Sequence, residues 1–127
     1  MATPVQIFWF MLTRLGWKDR AFEILAPYGV TSISYLNAQK LEELNDKLAS
    51  EWKERSKRPR GAVIHFLCIM PNYNYQTLSG APDYDKIDDF VKSKMKGKAL
   101  NQLTLPELSR MVTIVKMWYR NELKTKA

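Results

Sequence analysis

One cysteine and one histidine are the only thiol and imidazole side chains in these 127 residues. A lone cysteine excludes an intrachain disulfide and suits a reducing compartment. His65 and Cys68 lie three apart, on one face of a helix, and such a pair can be nucleophilic or metal-binding. Two ligands do not complete a zinc site, however, and both stand in an apolar run where free cysteine behaves as a small hydrophobe. They read as core residues. Glycine is also sparse, and no Gly-rich phosphate loop or Ser-centred nucleophile elbow occurs. No acid and base stand at a recognisable catalytic spacing, so the chain reads as a non-enzyme without catalytic residues, metal or cofactor. Long apolar runs are missing too. Ile7 to Leu12 is far too short to span a bilayer. It lacks the basic flank and small-residue cleavage site of a signal peptide. The expectation is a cytoplasmic protein with no membrane partner.

What the sequence does have is apolar content and positive charge. Apolar residues make up 46% and charged residues 26%, which is too apolar for disorder. Twenty Lys and Arg against thirteen Asp and Glu leave +7, and that excess favours a polyanionic partner.

Helical spacing dominates the first half. Pro4 to Leu15 reads as a helix with Pro4 in its first turn, apolar all round and so buried on more than one side, ended by Gly16. Asp19 to Ala26 reads as a short helix stopped by Pro27, with Phe22 and Leu25 facing inward. Tyr28 to Ser32 is a turn. Asn37 then caps a helix whose Leu41, Leu44, Leu48 and Trp52 recur at spacings of three and four. The run from Arg55 to Gly61, basic and punctuated by Pro59 and Gly61, reads as a linker at 55–61. It separates a first unit, 1–54, from a second, 62–127.

Ala62 to Met70 is a short apolar run, assigned to a helix because no partner strand is available. Pro71 to Pro82 reads as a polar-aromatic loop. Asp83 to Lys96 reads as a helix with acids first and lysines last, as the helix dipole favours. Its cluster of Asp83, Asp85, Asp88 and Asp89 lacks the Gly and terminal Glu of a calcium loop. Thr104, Leu105, Pro106 and Glu107 form a capping box, followed by the stripe Leu108, Met111, Val112, Val115, Trp118 and Tyr119.

Fourteen of the twenty cations fall into three blocks: Lys53 to Arg60, Lys92 to Lys98, and Arg110 to Lys126. Each follows or ends a helix, where cations are stabilising in any case. Three such blocks on a +7 chain nevertheless point to phosphate contacts. The candidate nucleic-acid-binding residues are Lys53, Arg55, Lys57, Arg58, Arg60, Lys92, Lys94, Lys96 and Lys98. Tyr73 and Tyr75, flanked by amides, either stack on bases, anchor a protein partner, or fold back on the core.

Laid together, the two halves repeat. Leu36, Leu41, Leu44 and Leu48 match Leu103, Leu108, Met111 and Val115 at one constant offset, and Ile7 to Leu12 matches Ile64 to Ile69. The expected fold is all-α: two tandem three-helix units packed as one compact helical domain, with Trp9, Trp52 and Trp118 in or near the core.

Several stretches resemble a known family. Leu15-Gly16-Trp17-Lys18-Asp19-Arg20-Ala21-Phe22-Glu23-Ile24-Leu25 is similar to the first helix, Leu-Gly, acid and short helix of GemA-type regulatory proteins of Mu-like phages and prophages. Tyr28-Gly29-Val30 with Ser32 and Leu36 resembles that family's Gly, Ser, Leu progression. Leu103-Thr104 with Lys116-Met117-Trp118-Tyr119-Arg120 resembles its terminal Leu-Thr helix ending in Lys, Trp and Arg. The Pro71 to Pro82 loop has no counterpart in that pattern. The resemblance implies a phage or mobile-element protein that modulates host gene expression, through DNA topology, and it carries over no catalytic residue. Two expectations follow: a DNA-associated regulator, or an interaction module that binds a host topoisomerase or nuclease without touching DNA.

Overall fold

The computed structural model describes residues 2–126, with the side chains of residues 2–124. Among these the secondary structure is helical, in the order α1 (Pro4–Leu15), α2 (Ala21–Leu25), α3 (Ala38–Cys68), α4 (Tyr84–Lys94) and α5 (Leu105–Lys126). The one β-type contact among them is an isolated bridge between Gln76 and Pro82. No helix among the described residues is long and apolar enough to cross a membrane. The chain divides into two compact units, Met1–Arg55 and Ser56–Ala127.

In the first unit, α1 starts on a reciprocal cap. The Gln6 N–H donates to Thr3 Oγ1 (3.2 Å) and the Thr3 N–H donates to Gln6 Oε1 (2.9 Å). Gly16, at φ 75°, closes the helix in the left-handed conformation that glycine adopts without strain. Phe8, Met11, Leu12 and Leu15 are buried, but Val5, Ile7, Trp9 and Phe10 are exposed. The expected burial of α1 on more than one side, and of Trp9 in the core, is therefore not met. One stripe of this short helix satisfies its packing, and the surplus apolar side faces solvent.

The expected Asp19–Ala26 helix is shorter and is flanked by 3₁₀ turns at Lys18–Arg20 and Ala26–Tyr28, the second containing Pro27. Leu25 is buried, whereas Phe22 is 65% exposed. Phe22 stands three positions before Leu25, and a helix of five residues has too little surface to bury both ends. Asn37 caps α3, its Oδ1 accepting from the Lys40 N–H at 2.8 Å. Leu41, Leu44, Leu48 and Trp52 are buried. The Asn45 amide donates to the Pro4 carbonyl (3.0 Å), and the Arg14 guanidinium lies 3.9 Å from the centroid of the Trp52 ring. Pairings that rise together along both helices mean that α1 and this part of α3 run parallel.

The linker expectation is corrected by α3 itself, which passes unbroken through Pro59 and Gly61 to Cys68. It absorbs the segment from Ala62 that the apolar run alone marks as a separate helix. A proline inside a helix costs roughly 3 kcal/mol and a glycine roughly 1. Against this, α3 buries Leu41, Leu44, Leu48 and Trp52 on one side of Pro59, and Val63 and Leu67 on the other. Each such side chain contributes about 1.5–3 kcal/mol, so burial outweighs both breakers. Ser56, fully buried at the same register, accepts a hydrogen bond from Arg60 Nη2 at 3.2 Å.

In the second unit, Asp83 caps α4 through the Lys86 N–H (3.3 Å). The helix ends at Lys94, two residues earlier than expected. Lys96 (φ 52°) and Gly97 (φ 83°) then turn the chain in left-handed conformations. A 3₁₀ turn at Leu100–Gln102 and the extended Leu103 lead into α5. The Thr104 box forms as expected: the Glu107 N–H donates to Thr104 Oγ1 (3.3 Å) and the Thr104 N–H to Glu107 Oε1 (2.9 Å). Val63, Leu67, Met70, Ile87, Val91, Met95, Leu100, Leu103, Leu108, Met111 and Val115 are the buried apolar side chains among the described residues of this unit.

Candidate nucleic-acid interface

Charge is distributed very unevenly between the units. Met1–Arg55 holds seven Lys and Arg against seven Asp and Glu, while Ser56–Ala127 holds thirteen against six. The whole excess of +7 therefore belongs to the second unit.

The first basic block lies on α3, so its side chains radiate at helical intervals. Arg55, in the first unit, is held locally: its Nε donates to Glu51 Oε2 at 2.8 Å and its guanidinium sits over the Trp17 ring, 4.8 Å from the centroid. Lys53 is likewise engaged in an interaction within the chain. In the second unit Arg60 is half-buried and engaged with Ser56. Lys57 and Arg58 are exposed and make no ion pair with the described residues. Of the five cations that the sequence groups as one strip, only these two are both exposed and without a partner among the described residues.

The second block divides in the same way. Lys92 and Lys94 sit in the last turn of α4, where the carbonyl end of the helix favours cations. Lys96 occupies the left-handed turn. Lys94 Nζ lies 5.9 Å from the Phe90 centroid. Lys98 is committed elsewhere, bridging Glu107 Oε1 and Oε2 at 3.1 and 3.2 Å. Of the third block, the Lys126 side chain lies outside the described residues; Arg110, Lys116, Arg120 and Lys124 are exposed along α5.

Four of the six carboxylates of this unit are occupied by other donors. Asp83 caps α4, Asp88 Oδ1 accepts from the Leu100 N–H (3.2 Å), and Glu122 Oε1 accepts from Trp118 Nε1 (3.1 Å). Glu107 belongs to the α5 cap. Burial raises the Glu107 pKa, but the Thr104 N–H, the Lys98 ammonium and the Thr104 hydroxyl together outweigh it and hold the group below the ordinary carboxylate range. Of the acidic cluster read as a helical first turn, Asp83 thus caps the helix and Asp88 docks the Leu100 turn. Among the described residues no three His, Cys, Asp or Glu side chains gather as a metal-ligand set.

Tyr73 and Tyr75 belong to an ordered turn. The Thr77 N–H donates to the Ala81 carbonyl (2.7 Å) and the Asp83 N–H to the Tyr75 carbonyl (2.8 Å). Both rings meet Trp118 nearly edge-on, with centroids 4.7 and 6.3 Å away. Phe90 stacks on Trp118 at 5.1 Å and 14°. Of the three roles open to these tyrosines, packing on the protein's own aromatic cluster is what the geometry gives, although Tyr73 stays 49% exposed. Burial, and secondarily the neighbouring Tyr73, pushes the Tyr75 hydroxyl pKa up.

His65 and Cys68 are not the core pair expected. His65 is exposed, its ring 5.5 Å from that of Phe66, because it falls off the buried line of Val63, Leu67 and Met70. Cys68 is half-buried, with Sγ 3.8 Å from the Tyr75 carbonyl, and burial raises its thiol pKa.

A groove of about 530 Å³ beside this cluster is lined by Phe90, Lys94, Ile114, Met117, Trp118 and Asn121. Sequence reasoning misses Phe90, Ile114 and Met117 as surface residues. The available signal is the second row Ile114–Met117–Asn121 on α5, spaced three and four apart but off the Leu108–Met111–Val115 core line. No family model, curated protein or solved structure matches the chain.

Proposed function

We propose that this chain is a non-enzymatic regulatory protein of a phage or other mobile element, resembling the GemA type. On this reading it associates with DNA through the cations of its second unit and so modulates host gene expression. The observation that carries the proposal is the confinement of the entire positive excess to Ser56–Ala127. Within that unit Lys57, Arg58, Lys92, Lys94 and Lys96 are exposed and make no ion pair with the described residues. Such side chains neutralise phosphates with little regard for base sequence.

The same proposal takes the two units as copies of one plan. Its support is local structure recurring at the offset of the leucine match: left-handed residues at Gly29 and Lys96, and 3₁₀ turns beginning at the buried Ile33 and Leu100. Side-chain caps at Asn37 and Thr104 follow, then buried lines from Leu41 and Leu108.

The test is DNA binding titrated with salt. Changing Lys57, Arg58, Lys92, Lys94 and Lys96 to Ser should weaken binding to unrelated duplexes equally. It should lower the slope of log affinity against log salt by up to about 4–5 if all five contact phosphate. An unchanged slope in the folded variant, or no binding by the wild type at low salt, refutes the reading.

A further inference from the structure

The groove between α4 and α5 has a composition that phosphate contact does not call for. Its floor is Phe90, Ile114, Met117 and Trp118, and Met117 is 57% exposed although it stands mid-helix. Along α5 the row Arg110, Ile114, Met117, Asn121, Lys124 advances by fours and threes, so the five positions share one face. Apolar side chains occupy its middle and cations both ends, while Lys94 stands on the opposite wall. No carboxylate is among the lining residues. From Arg110 to Lys124 the row spans roughly 21 Å at about 1.5 Å per residue, close to four helical turns.

We propose that this groove binds an amphipathic helix of a partner protein, apolar along one face and acidic at both ends. The proposal goes beyond the DNA reading and does not depend on it. Three features select this occupant. An apolar floor between cationic ends complements a helix that lays down an i, i+3, i+7 row with flanking Glu or Asp. A second copy of this chain is disfavoured, because each copy would bring an excess of seven positive charges carried by this same unit. Nucleobases are disfavoured as well: Phe90 and Trp118 are stacked on each other, Tyr73 and Tyr75 meet Trp118 edge-on, and Ile114 and Met117 offer no polar atom to a base edge. Methionine suits the role, since its flexible thioether adapts to different apolar partners.

The experiment uses the full chain and a labelled synthetic helix of about four turns, with Leu at i, i+3, i+7 and i+10 and Glu at both ends. Its counterpart carries Lys in place of Glu. Fluorescence anisotropy should show the acidic peptide binding at least about tenfold more tightly than the basic one. Met117→Ser removes exposed apolar contact without altering charge and should weaken the acidic peptide about tenfold while leaving duplex DNA affinity unchanged. Lys94→Glu should weaken the acidic peptide and strengthen the basic one, a reversal that misfolding cannot produce. Equal binding of the two peptides, binding of neither, or full affinity in Met117→Ser overturns the proposal. So does displacement of the peptide by oligo(dT) whose own binding falls in Met117→Ser, because the groove would then be a nucleic-acid site. Loss of DNA binding in the five-cation variant bears only on the DNA reading.

Discussion

Glu107 joins three elements of the second unit's stability, and its removal gives a graded set of outcomes. Its Oε1 accepts from the Thr104 N–H at 2.9 Å, both its carboxylate oxygens lie near Lys98 Nζ, and its own N–H is capped by the Thr104 hydroxyl. Thr104→Ala removes one cap bond and should cost about 1 kcal/mol. Glu107→Ala leaves the part-buried Thr104 N–H without its partner and also deletes the Lys98 bridge. It should cost about 2 kcal/mol, mostly from the orphaned donor. Glu107→Gln keeps the amide oxygen as acceptor and forfeits only the charge. Since Lys98 is about half exposed, that loss should stay below about 1 kcal/mol.

Acid provides an independent check. The Glu107 pKa lies below its unfolded value, so its contribution is complete above the unfolded pKa of about 4.3 and disappears as pH falls through the lower, folded value. Urea melts followed by far-UV circular dichroism, from neutral pH downwards, should show the wild type and Glu107→Gln converging in acid. Thr104→Ala loses its cap bond at every pH and, besides it, only the hydroxyl's share in holding the Glu107 pKa down, so its displacement should narrow in acid without closing. Parallel acid limbs for wild type and Glu107→Gln would refute the assignment of charge to this cap. A Glu107→Ala cost no larger than that of Glu107→Gln would refute the backbone bond.

Two other outcomes are expected. Gly61→Ala should stabilise the protein by about 0.5–1 kcal/mol in the same melts, because Gly61 is helical and an added Cβ would meet nothing within 4 Å; a loss of stability would mean that the helix does not run through this position. Cys68 should react with a thiol reagent more slowly in the native state than after denaturation, and its rate should rise at higher pH than that of a free thiol, since burial raises its pKa; native labelling as fast as denatured labelling would contradict its half-buried setting.

Where the sequence is legible, a local signal and the tertiary packing agree. Pro4 and Gly16 mark the ends of α1, Asn37 starts α3, and Thr104 with Glu107 starts α5, because each acts on backbone groups within four residues of itself. The reciprocal cap of α1 by Thr3 and Gln6 is a local signal of the same kind, one that Pro4 overshadows. At Pro59 and Gly61 the local signal and the packing conflict. Two breakers in three residues predict an interruption, and only the sum of burial on both sides decides otherwise. A helix of 31 residues that belongs to both units is therefore invisible to any reading that weighs breakers one window at a time.

The candidate interface is legible in kind and illegible in detail, for a related reason. A basic block is visible as composition, yet which of its members are available depends on neighbours that composition does not reveal. Arg55 is taken up by Glu51 and Trp17, Arg60 by Ser56, and Lys98 by Glu107. The hydrogen-bonding partners lie four residues away along a helix, or nine residues away across the Leu100 turn, while Trp17 is remote from Arg55 in sequence. Two of the pairings, Glu51 with Arg55 and Ser56 with Arg60, are within reach of an i, i+4 rule. The bridge from Lys98 to Glu107 needs the turn to be placed first. The opposite error arises on α5, where Met117 reads as part of a family-like ending and Ile114 as nothing in particular. Helix periodicity identifies the line that packs, and a second apolar line becomes informative only once the first has been assigned to the core. That residue of unassigned apolar surface, bounded by cations, is what distinguishes a groove for a partner helix from the merely basic surface beside it.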